Sequence, residues 1–418
     1  MFLISLIYQW IRKSIRTLAA ICSATVLLTA PGILPAQPSL SAPGQPTIEF
    51  LDEIPPPVVV TDPDKGSDTS KILDPRERLL ASPDRIGFGS AATGGTHYVY
   101  VKNFAELQSA IETDGNYVIL DPSLSNRELP FSDMIFPGNN ITLDGSQAPG
   151  LVMFPDYSSG FPRNKPMINN IGVGGVGNKI FHSFKLEGRR QFPYDPNSRS
   201  GNVGGLFIRE GTNYWVDHVE VTDFWDDAFI SGIGNSNSGD YITLSNIKVH
   251  NTDKGYQAFN MESPQEGRGH ITIFNSEWAA KGRNPENRGA ENFHFFNNWV
   301  HSWRWGATSS GGRGQVSAGH SSGSRSTDAN MLSENNVYSS PSATNNCAEV
   351  ADPTVNYGGW LYTNGNSIYN NHDQCGSPNH VGPNENRGPG KPNIPYSYTL
   401  KPTDEVVSYV QSNAGALK

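Results

Sequence analysis

"HITIFNSEW" at His270–Trp278 and "NFHFFNNWV" at Asn292–Val300 share one figure: apolar residues in alternation, an asparagine, then alternation again. Alternation with a period of two marks a strand, and asparagine marks a turn. The figure recurs in "DYITLSNIKVH" (Asp240–His250), "NMLSENNVY" (Asn330–Tyr338) and "NGNSIYNN" (Asn364–Asn371). Asn246, Asn275, Asn298, Asn336 and Asn366 hold its turning point, at intervals of 29, 23, 38 and 30 residues. His218, in "NYWVDHVEV", lies 28 residues before Asn246 and fits one step earlier. Short strands at such a period make each unit one coil of a solenoid, because a single coil cannot bury its own apolar face. Stacked coils form parallel strands about 4.8 Å apart. Equivalent asparagines then lie above one another and their amides hydrogen-bond along the stack. The expected fold is all-β, a single-stranded right-handed parallel β-helix. Unequal intervals become loops of unequal length on one side, where binding surfaces concentrate. A β-sandwich, the rival architecture, leaves the recurring asparagine unexplained.

The rest of the chain agrees with a turn-rich body. Its 418 residues include 43 glycines and 30 prolines, and only 17% are charged. "FAELQSAIE" (Phe104–Glu112) sets Phe104, Leu107 and Ile111 on one face and predicts one short N-terminal capping helix. Residues 37–82, centred on "IPPPVVVTDPDKGSDTSK", read as a linker, with the folded domain at 83–418. Arg12, Lys13 and Arg16 before "TLAAICSATVLLTAPGIL", with Ala36 at a cleavage point, make residues 1–36 an export signal. An uncleaved membrane anchor is the alternative. The expected location is therefore extracellular or periplasmic. There Cys347 and Cys375 pair as a disulfide or stay as two buried thiols. A net charge of −9 argues against nucleic acid as a partner, and the chain is read as a monomer.

Four segments in order resemble one family. "GFGSAATGG" with "YVYVKNFAELQSAI", "NYWVDHVEV", "RNPENRGAENFHFFNNWV" and "PYSYTLKPTDEVVSYVQSNAGALK" are similar to the entry, Trp-x-Asp-His strand, Arg-x-Pro-x-x-Arg segment and tail of the pectate lyase and pectin lyase family, polysaccharide lyase family 1. The likeness spans residues 86–418. It implies a right-handed parallel β-helix, in agreement with the repeat. It also implies cleavage of an acidic polysaccharide, pectate or pectin, by β-elimination.

That chemistry removes a proton next to a carboxyl group and needs a base together with fixed positive charge at the carboxyl oxygens. The resemblance makes Arg283 the base, with Lys254 and Arg288 on the substrate uronate. An arginine base requires that neighbouring cations and poor solvation disfavour its charged form. A guanidinium such as Arg288 grips a carboxylate through two parallel hydrogen bonds, and Pro285 stiffens the segment. Lys254 precedes Arg283 by 29 residues, about one coil. Trp303 and Trp305, in "SWRWG", are sugar-binding candidates. Trp278 and Trp299 are expected in the coil interior, and Asp217, His218 and His294 in satisfied hydrogen bonds.

The calcium sites of the family find only part of their pattern here. Asp227 is the one acid in place, while Leu206 and Ser231 stand where further acidic ligands are expected. Calcium wants several oxygens. Three outcomes stay open: calcium held by a rearranged site, with Glu210, Asp223 and Asp226 near in sequence; metal-free action on methyl-esterified pectin; or a non-catalytic β-helix that adheres to polysaccharide.

Overall fold

A computed structural model describes residues 74–162, 165–170, 177–189, 204–224, 227–231, 239–251, 257–262, 269–280, 284–302, 308–310, 329–339, 351–353, 359–368, 386–387 and 391–417. Its strands stack in parallel register into a right-handed β-helix with three sides. Two sides form one long sheet: Asp240–Ser245 and Lys248–Asn251 in one coil, His270–Phe274 and Glu277–Ala280 in the next, then Asn292–Phe296 and Trp299–His301. The third side is a separate sheet running through Leu206–Ile208, Asp227–Ser231, Gln257–Glu262, Glu286–Arg288, Thr308–Ser310 and Ala351–Pro353. Apolar columns fill the interior. Ile242, Ile271, Phe293 and Met331 pair in succession, and all are buried.

The corner between the two halves of the long sheet explains the asparagines, with one correction. Two columns run there, one residue apart. Lys248 pairs with Glu277, Glu277 with Trp299, Trp299 with Val337 and Val337 with Ser367. The residues just before them therefore align as Ile247, Ser276, Asn298, Asn336 and Asn366. This is the hydrogen-bonded ladder. The Asn298 N–H donates to Asn336 Oδ1 at 2.9 Å, and the Asn336 N–H donates to Asn366 Oδ1 at 2.9 Å. Ser276 N–H donates to Asn298 Oδ1 at 3.0 Å, and Ile247 N–H to Ser276 Oγ at 2.9 Å. One step earlier stand His218, Asn246, Asn275, Asn297 and Asn335, with φ of 52°, 50°, 53°, 54° and 45°. This second column turns the chain through left-handed backbone, which asparagine tolerates better than most residues. Asn246 and Asn275 thus belong to the turning column, as does His218, and not to the ladder.

One helix closes the first coil, packing Phe104 on the buried Phe131, and two more lie on the outer face of the long sheet. Phe104–Ile111 is the expected helix at the first coil, capped where Asn103 Oδ1 accepts the Glu106 N–H at 3.0 Å. It is joined by two more helices. Pro75–Leu80 falls within the stretch read as linker, yet its Leu79 packs with Tyr117, Ile180 and Trp215. Thr403–Asn413 sets Val406 and Val410 against Val337 and Trp299. Trp299 is consequently on the outside, stacked on His301 at 4.0 Å with its Nε1 donating to Ser339. Trp278 is interior, as expected.

Between these helices the segment "RIGFGSAATGG" crosses the coils as a strap. Phe88 N–H donates to Thr272 Oγ1 and Gly89 N–H to Thr243 Oγ1. A side chain at Gly89 would put Cβ 2.1 Å from the Tyr214 carbonyl. A second strap, Lys391–Lys401, carries Tyr396 and Tyr398 onto His294 and Glu334. Tyr396 and Thr272 share a hydrogen bond at 2.7 Å, and His294 meets Tyr396 through Nδ1 and Glu334 through Nε2. Burial pushes His294 below the ordinary imidazole range. Burial would raise Glu334, but hydrogen bonds from His294, Tyr398 and Asn364 outweigh it and hold the carboxyl down at about 2. His294 is therefore a neutral donor in a satisfied network, as expected.

Candidate active site

The arginine segment is built on the corner where the long sheet hands over to the third side. Asn251 and Ala280 are paired where the long sheet ends, and Asn260 and Glu286 are paired where the third side resumes. Lys254 is the third residue after Asn251, and Arg283 the third after Ala280. The two connections thus leave and rejoin adjacent coils in register. Lys254 and Arg283 themselves lie outside the described residues. Arg288 ends the strand Glu286–Arg288 with its Cα opposite Glu262, and its side chain lies outside the described residues.

Two asparagines that the sequence reading passed over fix this segment. Asn284 is buried directly after Arg283. Its Nδ2 donates to the Ala280 carbonyl at 2.9 Å and its Oδ1 accepts the Ala280 N–H at 3.0 Å. That two-way bond ties together Ala280 and Asn284, the described residues on either side of the stretch that holds Arg283. The Asn284–Pro285 peptide is cis. Asn287, buried directly before Arg288, accepts from the Gly289 and Ala290 N–H groups at 3.1 and 2.7 Å and donates to the Ala290 carbonyl at 3.0 Å. Each amide saturates backbone groups that would otherwise be buried unpaired. Their signal was the spacing "RNPENR": each arginine has its own asparagine neighbour.

The calcium expectation meets a plain obstacle. Leu206 is fully buried and pairs with Phe229, which in turn pairs with Phe259 in an apolar column. It offers no oxygen where an acid was expected. Asp227 and Ser231 are the first and last residues of the next strand on that side, and their side chains lie outside the described residues. The described residues do not make a calcium site. Trp303, Trp305, Cys347 and Cys375 also lie outside the described residues.

Asp217 and His218 are structural. Asp217, 1% exposed, accepts from Ser245 Oγ at 2.7 Å, Asn246 Nδ2 at 3.0 Å and His218 Nδ1 at 2.7 Å, with His182 Nδ1 at 3.2 Å as an ion-pair partner. Burial would raise its carboxyl, but the hydrogen bonds from His182 and His218 dominate and depress it well below the usual range. Ser245 Oγ also accepts from Trp215 Nε1 at 2.9 Å. The Trp-Val-Asp-His strand therefore locks three coils together.

Comparison with known proteins fits this architecture. The pectate lyase family model matches residues 160–418, more than half of the chain. A pectin lyase of Pectobacterium carotovorum is 27% identical over 345 residues, covering 79% of this chain and 94% of that protein. Among solved structures, the major allergen of cedar pollen, jun a 1, superposes with a TM-score of 0.56 at 15% identity over 80% of this chain and 93% of its own. A pectate lyase of Bacillus sp. N165, solved with trigalacturonate, gives 0.49 at 16% identity over 79% and 98%. The fold is thus a pectate lyase-type β-helix and the chain a polysaccharide lyase. It belongs to the pectate lyase family.

Proposed function

We propose that this protein is an exported endo- or exo-acting lyase that cuts pectin-type polyuronate by β-elimination. The base, Arg283, takes the proton from the carbon beside the carboxyl group. The C–H electrons form the ring double bond, the glycosidic C–O bond breaks, and the leaving sugar oxygen collects a proton. Lys254 and Arg288 bind the carboxyl oxygens as charge accumulates on them. The observation that supports this reading is the register of the flanking strands, Asn251 with Ala280 and Asn260 with Glu286, between which Lys254 and Arg283 fall in the sequence.

Methyl-esterified pectin is the favoured substrate. An ester needs less neutralisation than a free carboxylate, and the apolar Leu206 column supports a site that works without several acidic metal ligands. The relative from Pectobacterium carotovorum carries the name pectin lyase, which points the same way. Export rests on the basic residues and apolar run of residues 12–36.

The test is ultraviolet absorbance of unsaturated products from pectins of low and high esterification, each with chelator and with added calcium. The expected result is product from highly esterified pectin in chelator. Product only from low-esterified pectin with calcium overturns the substrate and metal assignment. No product from any sample overturns the lyase reading.

A further inference from the structure

Outside the arginine corner, three side chains from three successive coils converge on the outer face of the long sheet. They are His250, Glu277 and His301, and their ligating atoms all lie within 4.8 Å of one another. The register explains the meeting. His250 is paired with Ala279, and Val300, the residue before His301, is paired with Trp278. The two histidines therefore stand two coils apart on one row, about 9–10 Å between backbones at ordinary strand spacing. Only the methyl group of Ala279 lies between them. Glu277, two residues earlier on the same face, fills the opening with its carboxylate. His301 Nε2 reaches Glu277 Oε1 at 3.0 Å, and His250 Nε2 contacts the same oxygen.

The ligands are held from behind. His301 Nδ1 hydrogen-bonds Ser302 Oγ at 2.9 Å, and Trp299 stacks on the ring at 4.0 Å. Such support turns Nε2 toward the shared point. The side chain of Glu277 is 6% exposed and that of His250 42%. One side of the cluster is thus built into the wall while the other faces solvent. The His182, Asp217 and His218 cluster differs. There both carboxylate oxygens are occupied by Ser245, Asn246 and the histidines, in a closed network.

We infer that His250, Glu277 and His301 form a binding site for a divalent transition-metal ion of the zinc class. Two imidazoles and one carboxylate suit zinc, cobalt, nickel and copper rather than calcium, and three protein ligands leave a position for water. The ion would tie three coils together just before the connections that carry Lys254, Arg283 and Trp303 leave the sheet.

The test uses the full chain, free of any affinity tag and stripped with chelator. Cobalt(II) is titrated while visible d–d absorption is recorded, and zinc(II) is then added in competition. The expected result is one equivalent of cobalt bound, displaced by one equivalent of zinc, with zinc raising the unfolding temperature. His250→Ala, on the exposed side, should weaken cobalt binding at least tenfold while leaving the metal-free unfolding temperature and circular dichroism unchanged. Glu277→Gln, which keeps the side-chain volume, should likewise weaken cobalt binding at least tenfold. Absence of stoichiometric binding by the unaltered protein, or equal binding by it and His250→Ala, overturns the inference.

Discussion

Replacing Asn336 with alanine tests the ladder directly. The side chain is fully buried. Its Oδ1 accepts from the Asn298 N–H at 2.9 Å and from Asn298 Nδ2 at 3.0 Å. Its Nδ2 donates to the Phe295 carbonyl at 2.9 Å, Ser333 Oγ at 3.0 Å and Asn366 Oδ1 at 3.2 Å. Alanine leaves the Asn298 backbone N–H without that acceptor, at about 1–3 kcal/mol for an unmet buried donor. The Phe295 carbonyl and the Asn298 amide lose a bond each, at about 1 kcal/mol apiece. The expected loss is about 3–5 kcal/mol. Asn335→Ala removes one bond, to the Lys401 carbonyl, and puts alanine at φ 45°, for about 2 kcal/mol in total. Asn335→Gly should recover the backbone part of that cost. Asn336→Asp should be worse than Asn336→Ala, because a buried carboxylate would face the Phe295 and Asn366 acceptors. Urea unfolding followed by circular dichroism ranks the four variants. If Asn336→Ala unfolds at the same urea concentration as Asn335→Ala, or later, the two-column account is wrong.

Further expectations concern the strap, acid stability and catalysis. Gly89→Ala should destabilise by about 1–3 kcal/mol or more, since its Cβ meets backbone atoms of Tyr214 and Thr243 at 2.1 and 2.5 Å. Gly115→Ala, at φ 85° with nothing within 4 Å, should cost only about 1 kcal/mol, and thermal unfolding separates the two. Acid should weaken the fold in two stages. His294 has a depressed value when folded, so its contribution is complete above about pH 6.5 and fades as the unfolded chain takes up the proton on acidification. Glu334, held at about 2, adds stability above about pH 4.5 that is lost as pH falls toward 2. Glu334→Gln should flatten this second stage in urea midpoints measured against pH. Arg283→Ala should lower turnover on esterified pectin by about 10²-fold or more. Asn287→Ala, acting only by placing Arg288, should raise KM more than it lowers kcat. A fall in kcat as large as the rise in KM for Asn287→Ala would contradict that positioning role.

The repeat was legible because its cause is chemical. An asparagine at a solenoid corner meets either of two needs, a left-handed backbone or an amide ladder. In "FFNNW" and "ENNVY" adjacent asparagines meet both needs at once, so the strings look like doubled signals. In "LSNI" and "FNSE" only the turning residue is asparagine, and Ile247 and Ser276 occupy the ladder slot. Sequence alone cannot tell the two roles apart, which is why Asn246 and Asn275 were read one step out of register. The outer coverings were hidden for another reason. Phe274 and Phe296 stack at 5.0 Å on the outside of the coil, fully buried beneath the straps. When both faces of a strand are covered, alternation no longer says which face is inward, and Trp299 was misplaced on that account. At the site, the 29-residue step from Lys254 to Arg283 equals the step from Asn251 to Ala280 on the strands before them, while the strands after them step by 26 residues, from Asn260 to Glu286. Asn284 and Asn287 went unread because their partners are main-chain atoms: "RNPENR" sets an asparagine beside each arginine but does not say what it holds.

The turning column also sets where this molecule can change length. From Asn246 to Asn275, Asn297, Asn335 and Gly365 the steps are 29, 22, 38 and 30 residues, yet the bend itself always has the same two-residue form. One extra residue at the bend would swap the buried and outward sides of everything after it. Variation is therefore confined to the other two corners, one of which holds Lys254 and Arg283. The fold keeps a rigid spine on one edge and a freely editable margin on the opposite one, so reach and grip toward a polymer can be redrawn without touching the frame.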